Sequence, residues 1–309
     1  MNKIIITGGL GHIGTSLITK LLKNKNNQVI VIDNLSTSPI NNLFQFLEKK
    51  YFKRLRFIKI DLSKNFKTNI FKKSTIVIHL SGFTDQEKSF DKSINIIENN
   101  YGSTKNIVLV CKKYKIPLIF PSTTSLYTPR KKKNVQLTEK STELFPKTPY
   151  AKCKLKEENY IKKKLKKFLI LRLATVVGYS EGMKFHTVVN KFCLYSKLNK
   201  KLPVWNTAYN QVRPYLSLEE LVDNILFFIK NKSVQINGRT LNLLTENLSI
   251  KEIIDKIKKF SPTKKKLIIT KSMNKISFAL QKNIYGISSN NKFTIEKSIK
   301  NLIKMLNFI

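Results

Sequence analysis

The sequence predicts an α/β fold, a doubly wound parallel sheet followed by a smaller C-terminal α/β domain. Three observations carry this. Short runs of β-branched residues alternate with segments of helical periodicity up to Leu173, the pattern of strands that pair in parallel beneath covering helices. A glycine cluster, Gly8-Gly9-Leu10-Gly11-His12-Ile13-Gly14, joins the first run to the first helical segment. The 309 residues leave room for roughly two domains with a sizeable core.

The elements follow in order. Lys3 to Thr7 is a buried strand, and residues 12–24 have the periodicity of an amphipathic helix. Strands are expected at Gln28–Ile32, Arg56–Ile60, Ile76–Leu80, Pro117–Pro121 and Phe168–Leu173. Helices are expected at 40–50, from Asp85 to Tyr114, and from Tyr150 onward. Beyond Gly178 the pattern is less regular, with helices at 185–198, 217–231, 249–260 and 294–307. The resulting division is 1–175 for the first domain, with returning segments near 213–245, and 176–309 for the second.

Composition excludes several classes. Hydrophobic residues make up 41% and aromatics 10%, too many for a disordered chain. No apolar run reaches the roughly 18 residues of a membrane span, and the N-terminal Ile run is too short and wrongly flanked for a signal peptide. The formal charge is +39, yet only six of the 58 basic residues are Arg. A dedicated nucleic-acid surface favours Arg for its planar bidentate contacts. We read the excess Lys, with abundant Asn and Ile, as coding bias on a solvated surface that attracts anions generally, and expect no specific nucleic acid. Cys111, Cys153 and Cys193 are odd in number and widely spaced, which suits a reducing, cytoplasmic location. His12, His79 and His186 have no metal-ligand spacing, and no metal is expected.

The glycine cluster contains G-x-G-x-x-G between a strand and a helix. Such glycines let the backbone approach a pyrophosphate at the positive end of a helix. Asp33 closes the second strand 19 residues after Gly14. An acid there accepts hydrogen bonds from an adenosine ribose and repels a 2′-phosphate, which favours NAD over NADP. Tyr150 and Lys154 are four apart behind Pro149, so they share a helix face. The hydroxyls of Ser122 to Ser125 stand at the end of the fifth strand, where a doubly wound sheet keeps its site.

Together these residues resemble the NAD-dependent epimerase/dehydratase family, the extended short-chain dehydrogenases, over nearly the whole chain. Thr7 to Gly14 resembles the family's opening fingerprint, and Asp33-Asn34-Leu35-Ser36-Thr37 the stretch after the second strand in UDP-glucose 4-epimerases. Asp61-Leu62 is similar to the adenine-contacting pair. His79-Leu80-Ser81-Gly82 resembles the strand end beneath the cofactor. Asn99 to Thr104 resembles a motif of Asn, two residues, then Gly-Thr, with Ser103 for Thr. Ser122 to Tyr127, Pro146 to Lys154, Arg172 to Gly178 and Val212 to Tyr215 resemble the site segments that follow.

The resemblance implies a Rossmann domain binding NAD through Gly8, Gly11, His12, Ile13, Gly14, Asp33, Asn34, Ser36, Asp61, Leu62, Leu80, Ser81, Gly82, Asn99, Tyr150 and Lys154. It implies catalysis by Thr123, Tyr150 and Lys154, and substrate binding by Thr84, Thr123, Thr124, Thr175 and Arg213. Arg213 would grip the diphosphate. Lys154 and the nicotinamide are expected to lower the Tyr150 pKa. Thr124-Ser125 stands where 4,6-dehydratases have Asp-Glu, which argues against dehydration; Thr175 and Val177 replace an Asn and a Tyr in the sugar pocket. The implied activity is epimerisation of a nucleotide sugar, at C4, by a homodimer paired through helices near 90–114 and 150–166. A reductase or dehydrogenase of a nucleotide-linked sugar is the alternative on the same scaffold. A non-catalytic nucleotide- or RNA-binding protein is the alternative from another class.

Overall fold

A computed structural model describes residues 1–48, 51, 53–85, 97–127, 136–141, 144–205, 208–261, 267–270, 278–282 and 292–307. Its centre is a seven-stranded parallel sheet. The strands are β1 (Asn2–Thr7), β2 (Asn27–Asp33), β3 (Leu55–Lys59), β4 (Ile76–His79), β5 (Leu118–Thr123), β7 (Phe168–Leu173) and β11 (Arg239–Leu243), in the order β11-β7-β5-β4-β1-β2-β3. Between them in the chain fall β6 (Gln136–Leu137), β8 (Thr175–Val177), β9 (Leu202–Trp205) and β10 (Val212–Ser217).

The strand sequences explain the two covered faces. Side chains alternate across a strand. Ile4, Ile6, Val29, Val31, Ile76 and Ile78 therefore pack into one core, beneath α1 (His12–Lys23) and a helix that returns later in the chain. Ile5, Ile30, Ile32 and Val77 join the opposite core with residues of α2 (Gly102–Tyr114) and α3 (Pro149–Lys164). The strand order reverses between β1 and β4, where Thr7 pairs with His79. Ligands of open α/β sheets bind in the crevice at such a reversal, outside the carboxyl ends of the strands.

After β8 the chain builds a second core. Helices α4 (Val188–Lys197), α6 (Ile250–Phe260) and α7 (Ile295–Met305) pack with a three-stranded sheet of β8, β10 and β12 (Glu246–Ser249). Val177, Phe192, Tyr215, Ile253 and Ile299 are buried there. Between β10 and β12 the chain goes back to the first core: α5 (Leu218–Lys230) packs against it, and β11 pairs with β7. Two short parallel pairings, β9 with β13 (Leu267–Thr270) and β6 with β14 (Ala279–Leu280), tie late segments to earlier ones.

Two expected elements differ. The helix expected at 40–50 is a 3₁₀ turn over Ile40–Phe46. Its buried side is narrow: Phe46 is buried and Leu43 half-buried against the same core, while Ile40, Phe44 and Leu47 are exposed. Asn42 instead donates to the Leu10 carbonyl at 2.9 Å, pinning the turn to the glycine loop. The helix expected from Asp85 is described from Ile97, as one π turn over Ile97–Tyr101 running into α2. Residues 86–96 and the basic runs at 130–133 and 264–266 lie outside the described residues. The basic stretch from Lys162 closes α3, where cations suit the helix C-terminus. Cys111, Cys153 and Cys193 are buried and unbridged. Among the described residues no helix is long and apolar enough to cross a membrane.

Candidate active site

The glycine turn is built by close approach. Gly8 has φ +64°, and a methyl group there would lie 2.6 Å from the Ser81 amide nitrogen; only glycine fits that backbone against the end of β4. At Gly14 a methyl group would lie 2.4 Å from the Gly9 carbonyl oxygen, so this glycine lets α1 close on the turn. Gly11 differs. Its φ is −80°, and a methyl group would find Gly8 O at 3.4 Å and Ser38 Oγ at 4.0 Å. Neither backbone conformation nor packing within the chain demands glycine there. The demand fits a bound group that approaches Gly11 closely. The first intrahelical bond runs from Thr15 N to Gly11 O, so the amides of His12, Ile13 and Gly14 precede it and are available to an anion.

Asp33 is buried at the end of β2. Its carboxylate accepts from Leu10 N at 3.2 Å and Leu35 N at 3.0 Å, which holds a negative charge beside the turn. Asn34 accepts from Ser36 N at 3.0 Å, and Ser36 is exposed. Asp61 accepts from the amide and hydroxyl of Ser63, and Leu62 is buried beside it. Leu80 and Ser81 are half-buried at the end of β4, with Gly82 and Thr84 exposed after them. The His12 imidazole does not face the turn. It donates from Nε2 to the Gly178 carbonyl at 2.8 Å, and burial pushes its pKa down to about 4. It links the turn to the loop after β8, which Ser180 also reaches by donating to His12 O at 2.8 Å.

The two neighbouring asparagines of the Asn99 to Thr104 segment differ in their surroundings. Asn99 is exposed, and its neighbour Asn100 is fully buried. Asn100 accepts from Phe83 N at 2.7 Å and donates to Phe83 O at 3.0 Å, so it clamps the segment after β4. Both asparagines lie in the π turn at Ile97–Tyr101. Ser38, which belongs to none of the motifs above, is buried near Gly11.

Tyr150 and Lys154 share a face of α3. Thr148 caps the helix by accepting from Ala151 N at 3.1 Å, and Pro149 occupies its first turn, which is why the helix begins just before Tyr150. Both side chains are buried. The Lys154 ammonium lies 4.3 Å from the Phe120 ring centroid and 3.2 Å from Glu157 Oε2. The expected lowering of the Tyr150 pKa is not what the chain alone produces. Burial holds the phenol above its ordinary value, Lys154 opposes this, and Glu157 and Cys153 add to the rise.

Thr123 ends β5 and accepts from Ser125 N at 3.1 Å, shaping a 3₁₀ turn over Thr124–Leu126. Thr175 lies on β8 opposite Tyr215. Arg213, two residues before Tyr215 on β10, places its guanidinium 5.3 Å from the Phe278 ring centroid. Burial pulls its pKa down. Among the described residues no carboxylate pairs with it. Beneath these groups, Arg172 on β7 donates to both Glu158 oxygens at 3.0 and 2.8 Å and to the Tyr127 hydroxyl at 2.8 Å. This buried fork ties α3 to the sheet under the Tyr150 turn.

The NAD dependent epimerase/dehydratase family model matches residues 4–243. The chain belongs to this family. Its cofactor is NAD, and the open face at Gly11, the helix amides beyond it and the Asp33 carboxylate fit a dinucleotide with an unphosphorylated ribose. The chain is similar to a dTDP-D-glucose 4,6-dehydratase of Dictyostelium discoideum, 34% identical over 238 residues. That match covers 72% of this chain and 54% of the relative, so the chain spans about half of that protein's length. It is 27% identical over 237 residues to an ADP-L-glycero-D-manno-heptose-6-epimerase of Brachyspira hyodysenteriae, covering 74% of this chain and 72% of the other. The fold is that of the UDP-glucose 4-epimerase of Thermotoga maritima solved with UDP-glucose, with a TM-score of 0.81, 20% identity and 98% of each chain covered.

Proposed function

We propose that the chain is an NAD-dependent nucleotide-sugar epimerase that inverts C4 of a UDP- or other NDP-linked sugar through a transient keto sugar. The observation that carries this reading is the commitment of the carboxylates near Tyr150. Dehydration needs a carboxyl group that can protonate a departing hydroxyl. Glu157 is taken by Lys154 and Thr104, and Glu158 by Arg172. The turn after Thr123 offers hydroxyls, Thr124 and Ser125, and no acid.

NAD, held by the glycine turn and Asp33, would supply the hydride chemistry. The chain's own residues would handle the proton and the charge. Tyr150 would remove the proton of the C4 hydroxyl and give it back, and the Lys154 ammonium would favour the phenolate while the proton is held there. Thr123 would hydrogen-bond the same sugar oxygen. Arg213, a half-buried cation with no carboxylate partner among the described residues, would meet the diphosphate, for which a guanidinium fork is suited. Thr84, Thr124 and Thr175 would line the sugar's path.

The test is proton NMR of UDP-, dTDP-, GDP- and ADP-sugars incubated with the protein and trace NAD. A new C4 epimer without net reduction of NAD supports the proposal. A 4-keto-6-deoxy sugar overturns it in favour of dehydration, and a stoichiometric change in NADH overturns it in favour of a reductase or dehydrogenase.

A further inference from the structure

Between the end of β4 and α3 runs a buried polar chain that the proposed chemistry does not use. Thr7, His79, Thr104 and Glu157 are each 1% exposed or less. Ser81 N lies 3.3 Å from Thr7 Oγ1, and Thr7 Oγ1 lies 2.7 Å from His79 Nδ1. His79 Nε2 lies 3.1 Å from Thr104 Oγ1, and Thr104 Oγ1 lies 2.5 Å from Glu157 Oε1. The second Glu157 oxygen faces Lys154 at 3.2 Å. Four elements contribute: β1, β4, α2 and α3.

The direction of every bond follows from its two ends. A carboxylate only accepts, so the Thr104 hydroxyl donates to Glu157. The Thr104 oxygen then accepts from His79 Nε2, which must carry the ring hydrogen. His79 Nδ1 is left to accept from the Thr7 hydroxyl, and the Thr7 oxygen accepts from the Ser81 amide. Each hydroxyl donates once and accepts once, and so does the imidazole, so no donor in the chain is left over. A protonated imidazole would turn Nδ1 into a donor and reverse the Thr7 end. Burial, with the Lys154 charge added, pushes the His79 pKa down to about 3 and keeps the ring neutral.

We propose that Glu157 is a positioning residue for the reaction: its carboxylate anchors the Lys154 ammonium, and the one-way chain Thr104–His79–Thr7 fixes that carboxylate to the Ser81 end of β4. The proposal rests on the reading of Tyr150 and Lys154 as the acid/base pair. It gives Glu157 two effects. It holds the ammonium at a set point between the Phe120 ring and the helix. It also offsets part of the pull that Lys154 exerts on the Tyr150 phenol. The titratable groups acting on Lys154 are Glu157, Tyr150 and Cys153 on α3 and His79 on β4. The Cys153 thiol is kept neutral by burial, which pushes it up to about 12. Glu157 is therefore the counter-charge that sets the balance.

Two measurements on the NAD-loaded protein, neither needing a sugar, test this apart from the epimerase reading. The first is 15N NMR of the His79 ring, simple to assign with three histidines in the chain. The expected result is a single neutral tautomer with the hydrogen on Nε2, unchanged near neutral pH, and lost to tautomer exchange in Thr104→Val. The second is the titration of Tyr150 followed by ring-carbon NMR, with Tyr150→Phe identifying the signal. Glu157→Gln keeps size and shape while removing the charge, and should move that titration down by about one pH unit or more. An Nδ1–H tautomer, His79 signals unaltered by Thr104→Val, or an unmoved Tyr150 titration in folded Glu157→Gln would overturn the proposal. Should Glu157→Gln not fold, the His79 signals of the wild type and of Thr104→Val decide it.

Discussion

Two glycines of one motif should fail in opposite ways when each is changed to alanine. At Gly14 the added methyl carbon would sit 2.4 Å from Gly9 O and 2.6 Å from Gly9 C and Cα. These are backbone atoms about an ångström inside contact distance, and they cannot turn aside as a side chain can. Overpacking of this kind costs about 1–3 kcal/mol. At Gly11 the nearest atom is 3.4 Å away and φ is −80°, a backbone that alanine adopts without strain. Replacing glycine at such a position stabilises by about 0.4–1 kcal/mol through the unfolded chain. Gly14→Ala should therefore lower the unfolding midpoint of the NAD-free protein, and Gly11→Ala should leave it unchanged or raise it. NAD affinity should move the other way for Gly11→Ala. Its methyl group occupies the open face of the turn, and a loss of about 1.4 kcal/mol there is already tenfold in Kd. Denaturant titration gives the first quantity and calorimetric titration of stripped protein with NAD the second. Wild-type NAD affinity in Gly11→Ala would refute the reasoning, as would a destabilisation equal to that of Gly14→Ala.

Three further outcomes are expected. Tyr150→Phe should lower turnover of the sugar found by NMR by roughly 10²–10⁴-fold while NAD still binds; wild-type turnover would remove Tyr150 from the chemistry. Arg172→Met leaves Glu158 as a buried charge whose remaining ion-pair partner among the described residues is the exposed Lys162, and should cost about 3–5 kcal/mol in denaturant unfolding; a loss within error of zero would show that the fork does not bind α3 to the sheet. Burial holds His12 and His79 at about 4 and about 3, whereas both titrate near 6.5 in an unfolded chain. Below that pH the unfolded chain binds more protons, so their contribution is complete above about 6.5 and declines as pH falls toward 4. The unfolding midpoint should drop between about pH 7 and pH 4.5, less steeply in His12→Gln, and the same slope in that variant would exclude His12 as a cause.

The parallel sheet, the glycine turn and the pairing of Tyr150 with Lys154 are legible in the residues alone. These are local features. A run such as Ile4-Ile5-Ile6 between polar residues has to be buried on both faces, and a Pro149 start places residues four apart on one helix face whatever lies around them. The folded chain adds what depends on neighbours distant in sequence. It replaced the helix expected at 40–50 by a 3₁₀ turn, which Asn42 ties to Leu10, 32 residues away. It buried Asn100 against the Phe83 backbone and left its neighbour Asn99 exposed. The motif marks the Asn99 to Thr104 segment, but the buried bonds of Asn100 and Thr104 are visible only when Phe83 and His79 are seen against them. The sign of the Tyr150 shift was also beyond sequence spacing. Spacing supplies the Lys154 ammonium, but burial and the Glu157 carboxylate that outweigh it become visible only when α2, α3 and β4 close around the pair.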